Sequence, residues 1–283
     1  MIAPFTTPFM GRALAELALL ALVCGPVSVF VFARRLSFVS DALTHTVFPG
    51  VVIGFLAGGV EGIFAGALIA AVLTAGVLTL LTRGGALSDD ASTAVVLTAM
   101  FSIGVALVSR RSSYTNDLTT FLFGRILTVT PRQIAETAVL AVVILALLAL
   151  GARALLFRTF DPAGAAAAGY RVGWLDLWLN VLVALVVVAA VRAVGTILVV
   201  ALLIVPAAAA RMLTHRLAAM ALLGTVLILA AGYGGLLLSW TASVDHGINL
   251  TSASTVVLLL VAAYLILLPV GLLRARMRRS VSA

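Results

Sequence analysis

Nine apolar stretches recur along the chain, at residues 12–33, 38–58, 62–82, 92–109, 134–157, 174–191, 194–212, 217–239 and 252–273, with short polar or glycine-rich breaks between them. Each is close to the roughly 20 residues that a helix needs to cross the hydrocarbon core of a bilayer. Backbone in hydrocarbon must satisfy its own hydrogen bonds, so runs of this length predict helices. The pattern predicts an all-α polytopic membrane protein of eight or nine transmembrane helices. The count turns on "AVRAVG", residues 190–195, which leaves only a very tight turn between the sixth and seventh runs.

Two connections are more than turns. The stretch "RRSSYTNDLTTFLFGRILTVTPRQ", residues 110–133, starts too polar to span and becomes too apolar for a solvated loop, so it is expected at the interface or re-entering the membrane. In "FRTFDPAGAAAAGYRVG", residues 157–173, Asp161 is a candidate N-cap, Pro162 stands at the first helical position, and alanines run to Gly169 as a stop. That predicts a short extramembrane helix. With no fixed-period repeat and no low-complexity linker, residues 1–283 read as a single transmembrane domain.

Composition narrows the function. With 63% hydrophobic and 10% charged residues, the soluble globular class is excluded. All 18 basic residues are arginine. A phosphate-binding loop of the G-x-x-x-x-G-K-[ST] type needs its lysine, so this chain carries no ATP site of that kind and any ATP must be used by a partner. The net charge of +8 raises nucleic acid as a partner, but the arginines sit at the ends of apolar runs and not on one aromatic-laced face, which argues for lipid and against nucleic acid. Cys24 is the only cysteine, so neither an intrachain disulfide nor a thiolate cluster can form. The first run is too long, and too poorly followed by a cleavage site, for a signal peptide, and reads as a first span.

Charge also orients the chain. An odd number of spans puts the termini on opposite sides. Placing the C-terminus in the cytoplasm puts twelve of the eighteen arginines inside, among them Arg34, Arg35, Arg83, Arg158 and Arg211. The positive-inside rule therefore predicts a multi-pass cell-membrane protein with its N-terminus outside, and makes the 161–169 helix cytoplasmic.

The candidate chemistry lies in the second run. In "SFVSDALTHTVFPGVV", Asp41 and His45 stand at i and i+4 on one helical face, near the membrane midplane. An aspartate at that depth costs at least about 2.5 kcal/mol on insertion scales and marks a cavity, a partner or an ion. Carboxylate oxygen and imidazole nitrogen together suit zinc, manganese or ferrous iron as a transported ion, with no permanently bound cofactor. Two ligands are too few. A second copy meeting the first across a two-fold axis would supply four. Pro49 and Gly50 follow directly, and a proline there frees backbone carbonyls and shapes the helix. The alternatives are a proton relay through Asp41 and His45, or their pairing with each other or a neighbouring helix.

Elsewhere ordinary helix chemistry suffices. Glu16 can pair with Arg12 and Glu136 with Arg132; Asp176 sits at a helix start, and Asp89 and Asp90 read as caps. His215 reads as a headgroup-level residue, and Asp245 with His246 as a polar turn that could also assist ion access. Pro206, followed by four alanines, is expected to kink the seventh span and allow close packing.

Five blocks, "SFVSDALTHTVFPGVVIGF", "DLTTFLFGRILTV", "FDPAGAAAAGY", "GTILVVALLIVPAAAAR" and "GGLLLSW", occur in the order and at about the spacing of the membrane permeases of zinc, manganese and iron ABC importers. The chain resembles that family from Leu36 onward. The resemblance implies a homodimer, two cytoplasmic ATP-binding subunits and an extracytoplasmic metal-binding protein. It implies metal coordination by Asp41 and His45, and a coupling role toward the ATPase for the segment containing Asp161, Pro162, Ala165 and Gly169. Two departures stand out: Ala163 replaces an acidic residue after "DP", and Thr251 and Ala253 stand where a Pro-x-Gly stretch is usual. A permease for a chelated metal or vitamin shares the same plan, whereas a proton-driven secondary transporter would need no ATPase.

Overall fold

The computed structural model describes residues 3–83, 88–109, 124–245, 247–248 and 250–281. Its helices are α1 (Pro8–Ala33), α2 (Ser37–Thr46), α3 (Phe48–Arg83), α4 (Asp89–Val108), α5 (Pro131–Phe160), α6 (Pro162–Ala167), α7 (Val172–Leu213), α8 (Leu217–Asp245) and α9 (Ser252–Val281), with short 3-10 turns at Ala3–Thr6 and Ile126–Thr128. Their starts follow capping chemistry. Thr130 and Gln133 form a reciprocal capping box at α5, with Pro131 in its first turn. At α4 the cap is Ser88, whose hydroxyl accepts from the Ala91 amide at 3.2 Å, and Asp89 and Asp90 lie in the first turn beside the positive end of the helix dipole. The expectation that the two aspartates cap is corrected by one residue.

Among the described residues, eight helical segments are long and apolar enough to cross a membrane. One of them, α7, has 42 residues and reverses direction. Its backbone leaves helical geometry at Gly195, φ 76° and ψ 166°. Before the break, Asp176 meets the end of α1 and Arg192 meets Glu136 near the start of α5. After it, Ala207 and Ala210 pack with Val29 of late α1 and Met220 of early α8, and Gly271 of late α9 lies against Met212. The chain thus rises to Gly195 and returns, so "AVRAVG" is the tight turn expected and the eight segments make nine helical limbs among the described residues. The turn is packed from outside by Gly124, against Val194 and Gly195, and by the Arg125 amide, which donates to the Ala193 carbonyl at 3.1 Å. Pro206 lies fully inside the returning limb; the backbone departs from the helix at Gly195 and not at the proline.

A second hairpin forms within α3, where Gly58 and Gly59 leave the helical region, Gly59 with φ 61°. Its limbs touch through glycine. A Cβ on Gly50 would run into the Gly66 carbonyl oxygen, and one on Gly54 into the Gly62 carbonyl oxygen. Small residues let helix backbones approach where lipid gives no hydrophobic push.

The α7 hairpin is the centre of the bundle. Its most apolar window is 83% buried, against 11% for the last span, so α7 is a core element and α9 a peripheral one. Leu150, Val142, Val139 and Leu80 point outward, as lipid-facing positions do. Two ends of the bundle follow. The Gly195 end holds the starts of α1, α5 and α9, and the Asp176 end holds the end of α1, the starts of α2 and α7, and α6.

Candidate functional site

Asp41 and His45 lie on α2 as their spacing requires. By helical rise His45 is about 12 Å into a span of about 34 Å, short of its centre and nearer the Asp176 end. Three hydroxyls of this helix bond within it, Ser40 donating to the Leu36 carbonyl, Thr44 to that of Asp41 and Thr46 to that of Leu43. Ala42, Leu43 and Thr44 are buried toward the bundle, which leaves Asp41 and His45 on the open face. Their side chains are 42% and 26% exposed in the single chain. Apart from each other, no ion pair among the described residues compensates them.

The donors are nearly a chelate. His45 Nε2 lies 3.8 Å from Asp41 Oδ1. Two tetrahedral ligands at ordinary metal distances stand about 3.4 Å apart, so a small rotation of either side chain brings both onto one ion. The imidazole is held edge-on against Phe101 of α4, centroids 5.6 Å apart at 82°. Its Nδ1 is buried without a hydrogen-bond partner among the described residues, so aromatic packing fixes the ring. Phe48 packs on the same Phe101 and against Gly104, so α4 backs the site along its length.

Pro49 acts through backbone. Lacking an N–H, it cannot bond the carbonyl of His45 four residues earlier, and the helix is interrupted at Val47 between α2 and α3. The His45 carbonyl accepts instead from the Val47 amide. Gly50 brings the first limb of α3 onto Gly66 and Ala70, and so fixes the height of the site against the hairpin. Among the described residues, no third His, Cys, Asp or Glu joins Asp41 and His45 to complete a metal site. One chain offers half of a four-coordinate set.

The predicted short helix exists as α6. The Asp161 carboxylate accepts from the Gly164 amide at 2.7 Å, Pro162 occupies the first turn, Ala165 is buried, and Gly169 takes φ 84° just past the end. Ala163 is exposed in its first turn. Asp245 ends α8 as an exposed residue, and His246 lies outside the described residues, as do residues 110–123. Thr251 and Ala253 line a cavity of about 220 Å³ with Gly124 and Arg125 at the Gly195 end. His215 is exposed between α7 and α8.

Two acids behave differently from the reading of the sequence. Glu16 does not pair with Arg12, whose Nε donates to the Pro8 carbonyl. It is fully buried, accepts from Thr137 at 2.7 Å, and shares a cavity with Glu136 and Arg192. Glu136 does meet Arg132, at 3.2 Å, and also Arg192 at 2.8 Å. Asp176, expected to serve only its helix start, accepts from both Arg34 and Arg158. The lone signal for that contact was an acid inside an arginine-rich end, and it names no partner.

A bundle of long apolar helical limbs, with an Asp–His pair on the open face of a proline-broken segment, has the frame of a multi-pass membrane protein. The sequence profile of the ABC 3 transport family matches residues 6–270, and the chain belongs to that family. It is similar to the manganese transport system membrane protein MntC of Halalkalibacterium halodurans, at 34% identity over 242 residues, 86% of this chain and 82% of the relative. The chelated iron transport system membrane protein YfeD of Yersinia pestis is 30% identical over 237 residues, 84% and 79% of the two chains. Among solved structures, PsaBC from Streptococcus pneumoniae in complex with Fab matches with a TM-score of 0.81 and 31% identity, over 94% of this chain and 95% of that one.

Proposed function

We propose that this chain is the membrane permease subunit of an ATP-driven importer for a divalent transition-metal ion, with Asp41 and His45 as the ligands that meet the ion during passage. The observation that carries the reading is the open Asp41–His45 face, 3.8 Å between donors and backed by Phe101, within a chain of this family. A second copy related by a two-fold axis supplies the other carboxylate and imidazole, which explains why charged groups at this depth are left uncovered by their own chain. Manganese is the first ion to test, since the carboxylates favour a harder cation, the imidazoles also suit ferrous iron, and the relatives' names include both metals.

The cycle is alternating access. Cytoplasmic ATP-binding subunits dock at α6, and their closure moves the Asp176 end of the bundle; an extracytoplasmic binding protein delivers the ion at the Gly195 end. The arginine-rich Asp176 end is the cytoplasmic one, with the N-terminus outside, by the positive-inside rule. Four ligands shared between two protomers hold the ion while the dimer is closed. Separation of the pair leaves two on each side, weak enough for release.

The test is manganese uptake into proteoliposomes containing the chain with its ATP-binding subunits and binding protein. His45→Ala should abolish ATP-dependent uptake while the complex still assembles and hydrolyses ATP. Uptake at the wild-type rate by that variant removes the ligand assignment. Competition among manganese, ferrous iron and zinc then ranks the ions, and uptake that follows a pH gradient without ATP would replace this reading with a secondary transporter.

A further inference from the structure

The Asp176 end contains a convergence of charge that metal binding does not use. Asp176, in the second turn of α7, accepts from Arg34 Nη2 on one oxygen and from Arg158 Nη2, at 3.2 Å, on the other. Arginines at the cytoplasmic ends of spans ordinarily snorkel to headgroups. These two turn inward. Their side chains are only 12% and 20% exposed, and that of the shared acid 23%.

The three residues come from three elements, and each element leads somewhere. Arg158 lies in the last turn of α5, immediately before Asp161 and α6, while Asp176 follows α6 on the other side. Their bond therefore closes the stem of the segment that carries α6. Phe157 and Tyr170, with rings edge to face at 6.0 Å, close the same stem a second time. With Ala165 buried beneath it, α6 is fixed to the bases of α5 and α7 and moves with them.

The third arm points to the metal helix. Arg34 caps the C-terminus of α1, Arg35 takes a left-handed backbone at φ 57°, and the Leu36 amide returns to the Val31 carbonyl at 2.9 Å. α2 begins at the next residue, and the Ser40 amide bonds the Leu36 carbonyl at 2.8 Å. This connection holds no slack. A displacement of Arg34 is passed directly to the helix bearing Asp41 and His45.

We infer that Asp176 is a positioning residue of the transport cycle: through Arg158 and Arg34 it joins the α6 stem to the helix that carries Asp41 and His45, so that motion imposed at α6 reaches the metal ligands. The inference rests on the proposed function, in which α6 receives the stroke of the ATP-binding subunit. One carboxylate shared by two guanidiniums suits the task, because charge-assisted hydrogen bonds are strong and directional and neither arginine has another acidic partner among the ion pairs of the described residues. Loss of the acid leaves two partly buried cations facing each other, and the three elements are no longer tied.

The experiment is the number of manganese ions taken up per ATP hydrolysed by the assembled complex in proteoliposomes, measured for wild type, Asp176→Asn, Asp176→Glu and Arg34→Gln. Asp176→Asn should hydrolyse ATP at close to the wild-type rate but lower the ratio by about tenfold, within the usual range of coupling free energies. Asp176→Glu, which keeps the carboxylate, should restore most of it. A purely structural role lowers the amount of folded complex and both rates together, with the ratio unchanged. If Asp176→Asn fails to assemble, Arg34→Gln, which keeps the Arg158–Asp176 pair, reads the same ratio. A wild-type ratio in either assembled variant overturns the inference and leaves the proposed function standing; absence of ATP-driven uptake by the wild type overturns both.

Discussion

Gly54→Ala tests the account of the α3 hairpin. Gly54 is helical, so alanine should gain up to about 1 kcal/mol of backbone propensity if nothing else intervened. Something does. The new Cβ would run into the Gly62 carbonyl oxygen and close on the Gly66 Cα, both backbone atoms that cannot rotate away. Overpacking of this kind costs typically about 1–3 kcal/mol, so the balance comes out destabilising by up to about 2 kcal/mol once the propensity gain is subtracted. The internal control is Gly76→Ala, a helical position on the second limb where a Cβ meets nothing within 4 Å. That variant should be neutral or more stable by up to about 1 kcal/mol. Thermal loss of the monodisperse peak in detergent compares the two against wild type. Because Gly50 and Gly54 also set the distance of the first limb from the second, manganese uptake by Gly54→Ala should fall more than the folded amount does. Equal melting curves for Gly54→Ala and Gly76→Ala would refute the claim that the limbs meet backbone to backbone.

Substitutions at two further positions address other parts of the chain. Pro49→Ala supplies an N–H to the His45 carbonyl and removes the interruption at Val47, so the melting temperature should rise while manganese uptake falls; a rise in both would show that the break serves no purpose in transport. Glu16→Ala leaves the buried Thr137 hydroxyl without its acceptor and should cost about 1–3 kcal/mol in thermal stability, whereas Glu16→Gln keeps an oxygen for Thr137 and should melt near wild type.

Most of the fold was legible because each span announces itself by length and hydropathy, and because α6 carries its own cap, proline and stop. The Gly195 reversal was legible too, from the shortness of "AVRAVG". What could not be read is long-range pairing. Arg34 and Asp176 are 142 residues apart and Glu16 and Thr137 are 121, and no local pattern ties such positions together. Local spacing instead favours Arg12 for Glu16, its neighbour on the helix, and the helix start for Asp176. At α4 the two aspartates beside Ser88 offer the same capping chemistry as its hydroxyl. The Asp41–His45 pair stands out in the sequence because lipid makes two ionisable groups on one helical face costly, but two donors name no further ligand, and among the described residues no third His, Cys, Asp or Glu joins them.

The reversal at Gly195 limits how the bundle can move. Its backbone, at φ 76° and ψ 166°, belongs to a region that only glycine occupies cheaply. Sliding one limb of α7 past the other by a single residue would force Val194 or Thr196, both β-branched, into that conformation. The register of the central hairpin is therefore pinned like a peg in one hole. Whatever drives the cycle must tilt this hairpin as a whole and cannot feed chain through its turn.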